Sequence, residues 1–167
     1  DRAVGAIQWA RAALLDPERG VFGGSQHADE EYYMARPEER AKKAVPDVDR
    51  TVYVNASSAM ASAFLRAAEV LEMPELAGIA LKGLDWLLRE CVTAEGVAHY
   101  HDGAPRLPSL LRAPVALASA TLDAFDHTGE RRWLEAAESI AGELSRRFWY
   151  GPEKALADRA VDAPGRG

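Results

Sequence analysis

The chain has 167 residues, 48% of them hydrophobic, which suits one domain with a sizeable core. Its formal net charge is -6 and its pI is near 5.3, so no electrostatic attraction favours nucleic acid or an anionic membrane. No signal peptide or membrane-spanning run stands out, and the single cysteine, Cys91, excludes an internal disulfide and a Cys/His zinc site; such cysteine usage fits the cytoplasm.

The first helix is read from the three- and four-residue spacing of Val4, Ile7, Ala12, Leu14 and Leu15, with Trp9 adding bulk. Asp16-Pro17 ends it, because a residue before proline is pushed out of the α region. A glycine-rich turn or short strand pair follows over 20–25. Residues 26–49 form a long polar connection, with a short helix over 37–44 opened by Pro37.

The second main helix covers about 55–71 and is rich in alanine. Pro74 opens the third, where Leu76, Ile79, Ala80, Leu84, Leu87 and Leu88 line one face. Residues 97–101 read as a short extended stretch, and Pro105 and Pro108 mark a loop. A fourth helix covers about 110–127, Thr128-Gly129 breaks it, and a fifth covers about 131–148. From Gly151 the sequence reads as an irregular tail. A start inside a helical pattern and a loop-like end read as an excised segment of a longer protein.

The helices repeat. Ala63-Phe64-Leu65-Arg66-Ala67 matches Ala120-Thr121-Leu122-Asp123-Ala124 at an offset of 57, and the same offset pairs Leu76 with Trp133, Ala80 with Ala137 and Leu87 with Leu144. A further copy at the front pairs Trp9 with Trp86 and Gly20-Val21 with Gly96-Val97. Trp9, Trp86 and Trp133 therefore read as packing residues between hairpins. The fold class expected is all-α: helical hairpins forming part of an (α/α)6 toroid over residues 1–150, with alanine-rich inner helices near the axis.

The loop residues carry a resemblance. Phe22-Gly23-Gly24-Ser25-Gln26-His27-Ala28-Asp29 with Tyr32-Tyr33 resembles a Phe-x-Ser-x-Asp-Ala-Asp run and aromatic pair in thioredoxin-domain-containing proteins of the spermatogenesis-associated protein 20 type. Asp49-Arg50-Thr51-Val52-Tyr53-Val54-Asn55 is similar to that family's segment ending Trp-Asn, and Thr128-Gly129-Glu130-Arg131 to its hairpin turn. The resemblance implies a toroid similar to those of N-acylglucosamine 2-epimerases and six-hairpin glycosidases, hence a carbohydrate-type ligand and no cofactor. The sequence departs from the family at His27 and Val54, and at Arg112-Ala113-Pro114, where the family has acidic residues.

In such a ring the loops leading into the inner helices form one rim. Proton transfer on sugars needs carboxylates or histidines, and sugar rings stack on aromatics. The expected catalytic residues are thus Asp29, Asp49, His99 and His101. Gln26, Glu30, Tyr33, Arg50, Asn55 and Tyr100 are expected to position substrate. His99 and His101 alternate along a strand and so should share a face, though no third metal ligand accompanies them. Structural alternatives stand beside each reading. Asp29, Glu30 and Glu31 form a solvated acidic loop, Asp49-Arg50 a local ion pair, Asn55 a helix N-cap and the histidines a polar strand edge. The rival reading of the whole chain is a non-catalytic scaffold that binds a protein partner or self-associates through exposed hairpin faces.

Overall fold

The structure, a computed structural model, describes residues 2–162. Helix α1 spans Arg2–Ala13 and stops before Leu14 and Leu15, the last residues of the apolar pattern that predicted it. Leu15 leaves the helix because Leu15–Asp16 (β1) pairs antiparallel with Val21–Phe22 (β2). Strand β3, Ser25–Gln26, opens the long connection. Two short helices follow, α2 over Glu30–Met34 and α3 over Pro37–Arg40; the sequence pattern missed the first and overextended the second. Strand β4, Val48–Asp49, returns to pair with β3.

Strand β5, Val52–Tyr53, runs directly into α4, Val54–Val70. Helix α5 covers Glu75–Cys91. Then Val92–Thr93 (β6) pairs with Gly96–Val97 (β7). Strands β8, Tyr100–His101, and β9, Pro105–Arg106, join β5 in a three-stranded sheet of order β5-β8-β9. Helix α6 is Arg112–Thr128 and α7 is Arg131–Arg147. Trp149–Tyr150 (β10) pairs with Ala155–Leu156 (β11) after α7.

The molecule is therefore mainly helical but not purely α. Eleven two-residue strands lie among the described residues. The reason is that connections between hairpins carry backbone N–H and C=O groups that need partners, and short antiparallel pairs supply them. The expected irregular tail also departs from this pattern. Residues 149–156 make a hairpin, and the next stretch folds back, with Leu110 and Arg159 bridged and Ala160 fully buried. Residues 163–167 lie outside the described residues.

Helix α4 packs against α5 and against α6, and α6 packs against α7. Their core is small at the inner helices and bulky at the outer ones: Ala61, Ala113, Ala120 and Ala124 against Leu76, Leu84, Leu87 and Trp133, all nearly or fully buried. Alanine at the α4–α6 seam lets two helix backbones approach, and the larger residues fill the space behind them.

The repeat is real in three dimensions, with a finer register than one gapless offset. Buried Ser57, Ser58, Ala61, Phe64, Leu65 and Ala68 of α4 correspond to Ala113, Pro114, Leu117, Ala120, Thr121 and Ala124 of α6, an offset of 56. The outer helices keep 57, as Leu76 with Trp133 and Cys91 with Phe148 show. The turns absorb the difference. Glu72 takes a positive φ of 54° after α4, whereas Gly129, at φ 69°, closes α6 and donates to the Phe125 carbonyl at 2.7 Å.

Each outer helix ends in the same small hairpin: β6–β7 after α5, β10–β11 after α7 and β1–β2 after α1. Val21 and Val97 are both fully buried at matching places. Helix α1 is thus an outer helix. Of the three tryptophans expected to pack between hairpins, Trp133 is fully buried and Trp86 nearly so, whereas Trp9 on α1 is 49% exposed.

Candidate functional site

The loop ends that enter α4 and α6 bring one group of polar and aromatic side chains together. Strand β5 pairs with β8 so that Tyr53 lies opposite Tyr100 and Val52 opposite His101. The ring centroids of Tyr53 and Tyr100 are 6.1 Å apart, and His99 lies 6.3 Å from Tyr53 and 6.4 Å from Tyr100. Backbone bonds hold His99 in place: its carbonyl accepts from Val54 N–H at 3.0 Å and its N–H donates to the Arg106 carbonyl at 2.8 Å. Its Nδ1 is buried without a partner.

Asp49 stands beside this group. Its carboxylate accepts from the Thr51 N–H at 2.9 Å. That bond, then the Thr51 hydroxyl, outweighs partial burial and holds the carboxyl below its ordinary range, with Tyr53 and the nearby His27 adding to the effect. The same charge pushes the Tyr53 phenol up, reinforced by burial, by the hydrogen bond to Asp49 and by Tyr100. Gly24 makes the approach possible. A Cβ there would lie 2.6 Å from the Tyr53 ring and 2.9 Å from an Asp49 carboxylate oxygen. Tyr53 is the residue the sequence reading did not assign to the site. Its signal was strand alternation with Tyr100 in a partner strand, and a pairing across 47 positions is not visible in a local pattern.

His99 also opens on a cleft of about 520 Å³ that it lines with Leu110, Leu111, Arg112, Val115 and Asp158. Arg112 begins α6, the place where acidic residues were noted as missing. The structure thus puts Arg112 and Asp158 in the lining of the same cleft as His99.

The other expected residues lie elsewhere or do different work. Asp29 is the N-cap of α2, its carboxylate accepting from the Tyr32 N–H at 2.8 Å. Glu30 is exposed in the first turn of that helix. Gln26 and Tyr33 pair with each other, the Tyr33 hydroxyl donating to Gln26 Oε1 at 2.9 Å, and Gln26 Nε2 donates to the Pro46 carbonyl. Arg50 does not pair with Asp49; its guanidinium donates to the Ala13 carbonyl at 3.3 Å, at the C-terminal end of α1 where a cation is favoured. Asn55 is not the N-cap, a position held by Tyr53; it sits half-buried in the first turn of α4. His101 packs against Trp86 at 5.0 Å, so the two histidines do not share ring neighbours. Among the described residues no group of three or more His, Cys, Asp and Glu side chains could hold a metal ion, and no helix is long and apolar enough to cross a membrane.

The cluster of Asp49, Tyr53, His99 and Tyr100 thus offers one ionised carboxylate, one imidazole and two phenol rings. Such a set can accept hydrogen bonds from hydroxyls, stack on a ring face and present an imidazole to a bound molecule.

No protein-family model matches the sequence, and no match is found among curated proteins. Solved structures do match. The chain resembles a sugar epimerase from a ruminal bacterium with a TM-score of 0.70 at 15% identity, over 94% of this chain and 38% of that one. It also resembles an α-amylase from Clostridium perfringens with a TM-score of 0.62 at 14% identity, over 92% of this chain and 40% of that one. The chain therefore spans about two fifths of the length of these structures. At such identity the likeness shows the fold alone, a toroid-type arrangement of helical hairpins.

Proposed function

We propose that the rim around Asp49, Tyr53, His99 and Tyr100 binds a carbohydrate-type ligand. The observation that carries the reading is the set of three rings, 6.1 to 6.4 Å apart, beside an ionised carboxylate at the entrance to an inner helix. Tyr53 and Tyr100 supply stacking faces, Asp49 accepts from ligand hydroxyls, and His99 is the group for proton transfer. The fold shared with a sugar epimerase supports the ligand class. Asp29 and His101 have no part in this site, and Gln26, Glu30, Tyr33, Arg50 and Asn55 lie around it rather than in it. The two hairpins are read as part of a six-hairpin ring, in which this stretch is inactive alone. The loop over 22–33 supports a thioredoxin-domain-containing parent and the single cysteine a cytoplasmic one, and an upstream thioredoxin-like domain in the complete reading frame would test the first. Calorimetric titration of the full-length protein with a panel of neutral and N-acetylated monosaccharides tests the binding itself. Saturable heat that disappears in Tyr53→Ala and Asp49→Asn is expected; no heat with any sugar sinks the proposal.

A second reading has an observation of its own. Trp9, 49% exposed, and Val70, 80% exposed, belong to open apolar helix faces, which favours a scaffold that binds a partner through them.

A further inference from the structure

Between α1 and α4 runs an open apolar groove of about 550 Å³. Its α4 side is a stripe of Met60, Ala63, Ala67 and Val70, spaced three and four residues apart as one helix face. Its α1 side carries Ile7 and Trp9. We propose that this groove is the seat of a separate α-helix of the inner type, alanine-rich like α4 and α6. The proposal rests on the scaffold reading and names the partner's chemistry.

The repeat says what fits. Outer helix α5 packs on α4, and outer helix α7 packs on α6, in each case the inner helix just before it. Helix α1 is an outer helix by its terminal β1–β2 hairpin, yet among the described residues none stands to α1 as α4 stands to α5. The groove lies where that helix would be, in contact with α1 behind and α4 beside. Ala63 and Ala67 at its centre leave room for close backbone approach, as the alanines do at the α4–α6 seam. A second copy of the chain is a poor occupant. Its α6 could enter the groove only if its α7, packed on α6, took the place that α1 already holds.

The test titrates the full chain with a synthetic helix of the α4 sequence, Val54–Val70, cross-linked on its polar face, because isolated helices of this length are marginal in water. Calorimetry and tryptophan emission are read together. Saturable binding with a blue shift is expected, with the shift lost in Trp9→Phe. Ala63→Glu, at an exposed position, should weaken binding by at least roughly tenfold by burying an unpaired charge, whereas Ser119→Glu on exposed α6 surface should not. Both variants are checked for folding by circular dichroism. No binding by the folded chain, or undiminished binding by Ala63→Glu, overturns the proposal. Should the chain instead dimerise through this face, with Ala63→Glu monomeric and the peptide ignored, the groove belongs to a second copy; the inference then fails and the scaffold reading survives. A monomer that binds neither peptide nor apolar dye sinks both.

Discussion

Gly83 of α5 meets Gly20 backbone to backbone: a Cβ on Gly83 would lie 2.3 Å from the Gly20 carbonyl oxygen. Gly20 in turn holds φ at 76°. The β1–β2 turn is thereby pressed onto an outer helix, with no side chain between. Gly83→Ala should gain about 1 kcal/mol of helix propensity and lose more, about 1–3 kcal/mol, to the forced backbone shift. The expected outcome is net destabilisation, read from urea unfolding. A variant more stable than the parent would show that the turn yields freely.

Arg147 is a second clasp. Its guanidinium donates to the carbonyls of Glu95 and Pro108 and to Glu143 from a side chain only 20% exposed. Arg147→Ala leaves two carbonyls without their donor and should cost about 2–4 kcal/mol. Arg147→Lys should recover only part of this, since one ammonium cannot reproduce the planar fork. Thermal melts of the two variants against the parent check the order.

Asp49 gives a pH signature. Its carboxyl is held below its ordinary value of 3.8, first by the Thr51 N–H. A carboxyl with a depressed value in the folded state adds stability that is present above its unfolded value. That stability is lost as pH falls through the lower folded one. The parent should therefore lose stability faster than Asp49→Asn below pH 3.8. The effect will be small because the group is near the surface. Parallel acid titrations followed by circular dichroism would detect it, and superimposable curves would contradict the assigned hydrogen bond.

Cys91 behaves oppositely. Burial, with a smaller push from Glu90, drives its thiol up from 9.0 to about 12. The folded thiol stays protonated where the unfolded one ionises, so its stabilising share is intact below pH 9 and fades as pH rises toward 12. At pH 8 the folded protein should leave a thiol reagent nearly unreacted, and one equivalent should appear on unfolding in denaturant. Rapid labelling of the folded chain would mean that the helix end opens.

The hairpins were legible because helical periodicity is local. Leu76, Ala80 and Leu87 announce α5 without knowledge of anything outside it. The rim was legible only in part. Asp49, His99 and Tyr100 have telling residue types, but their meeting with Tyr53 depends on a two-residue strand pairing too short to leave a pattern. Asp29 misled for the same reason: a carboxylate capping a five-residue helix looks in sequence like any acid in a loop. The register change from 57 to 56 escaped because alanine-rich helices match one another at either offset.

The last described residues carry a consequence for handling the protein. Leu111 N–H donates to the Asp158 carbonyl and Ala160 N–H to the Ser109 carbonyl, so the stretch beyond the final hairpin laces down the entry to α6. Trimming the chain after Tyr150 would strip that lacing from a segment some 40 residues upstream. Tags and fusion junctions at this end belong past Asp162, and shortened versions chosen for their helices alone would begin α6 from a frayed start.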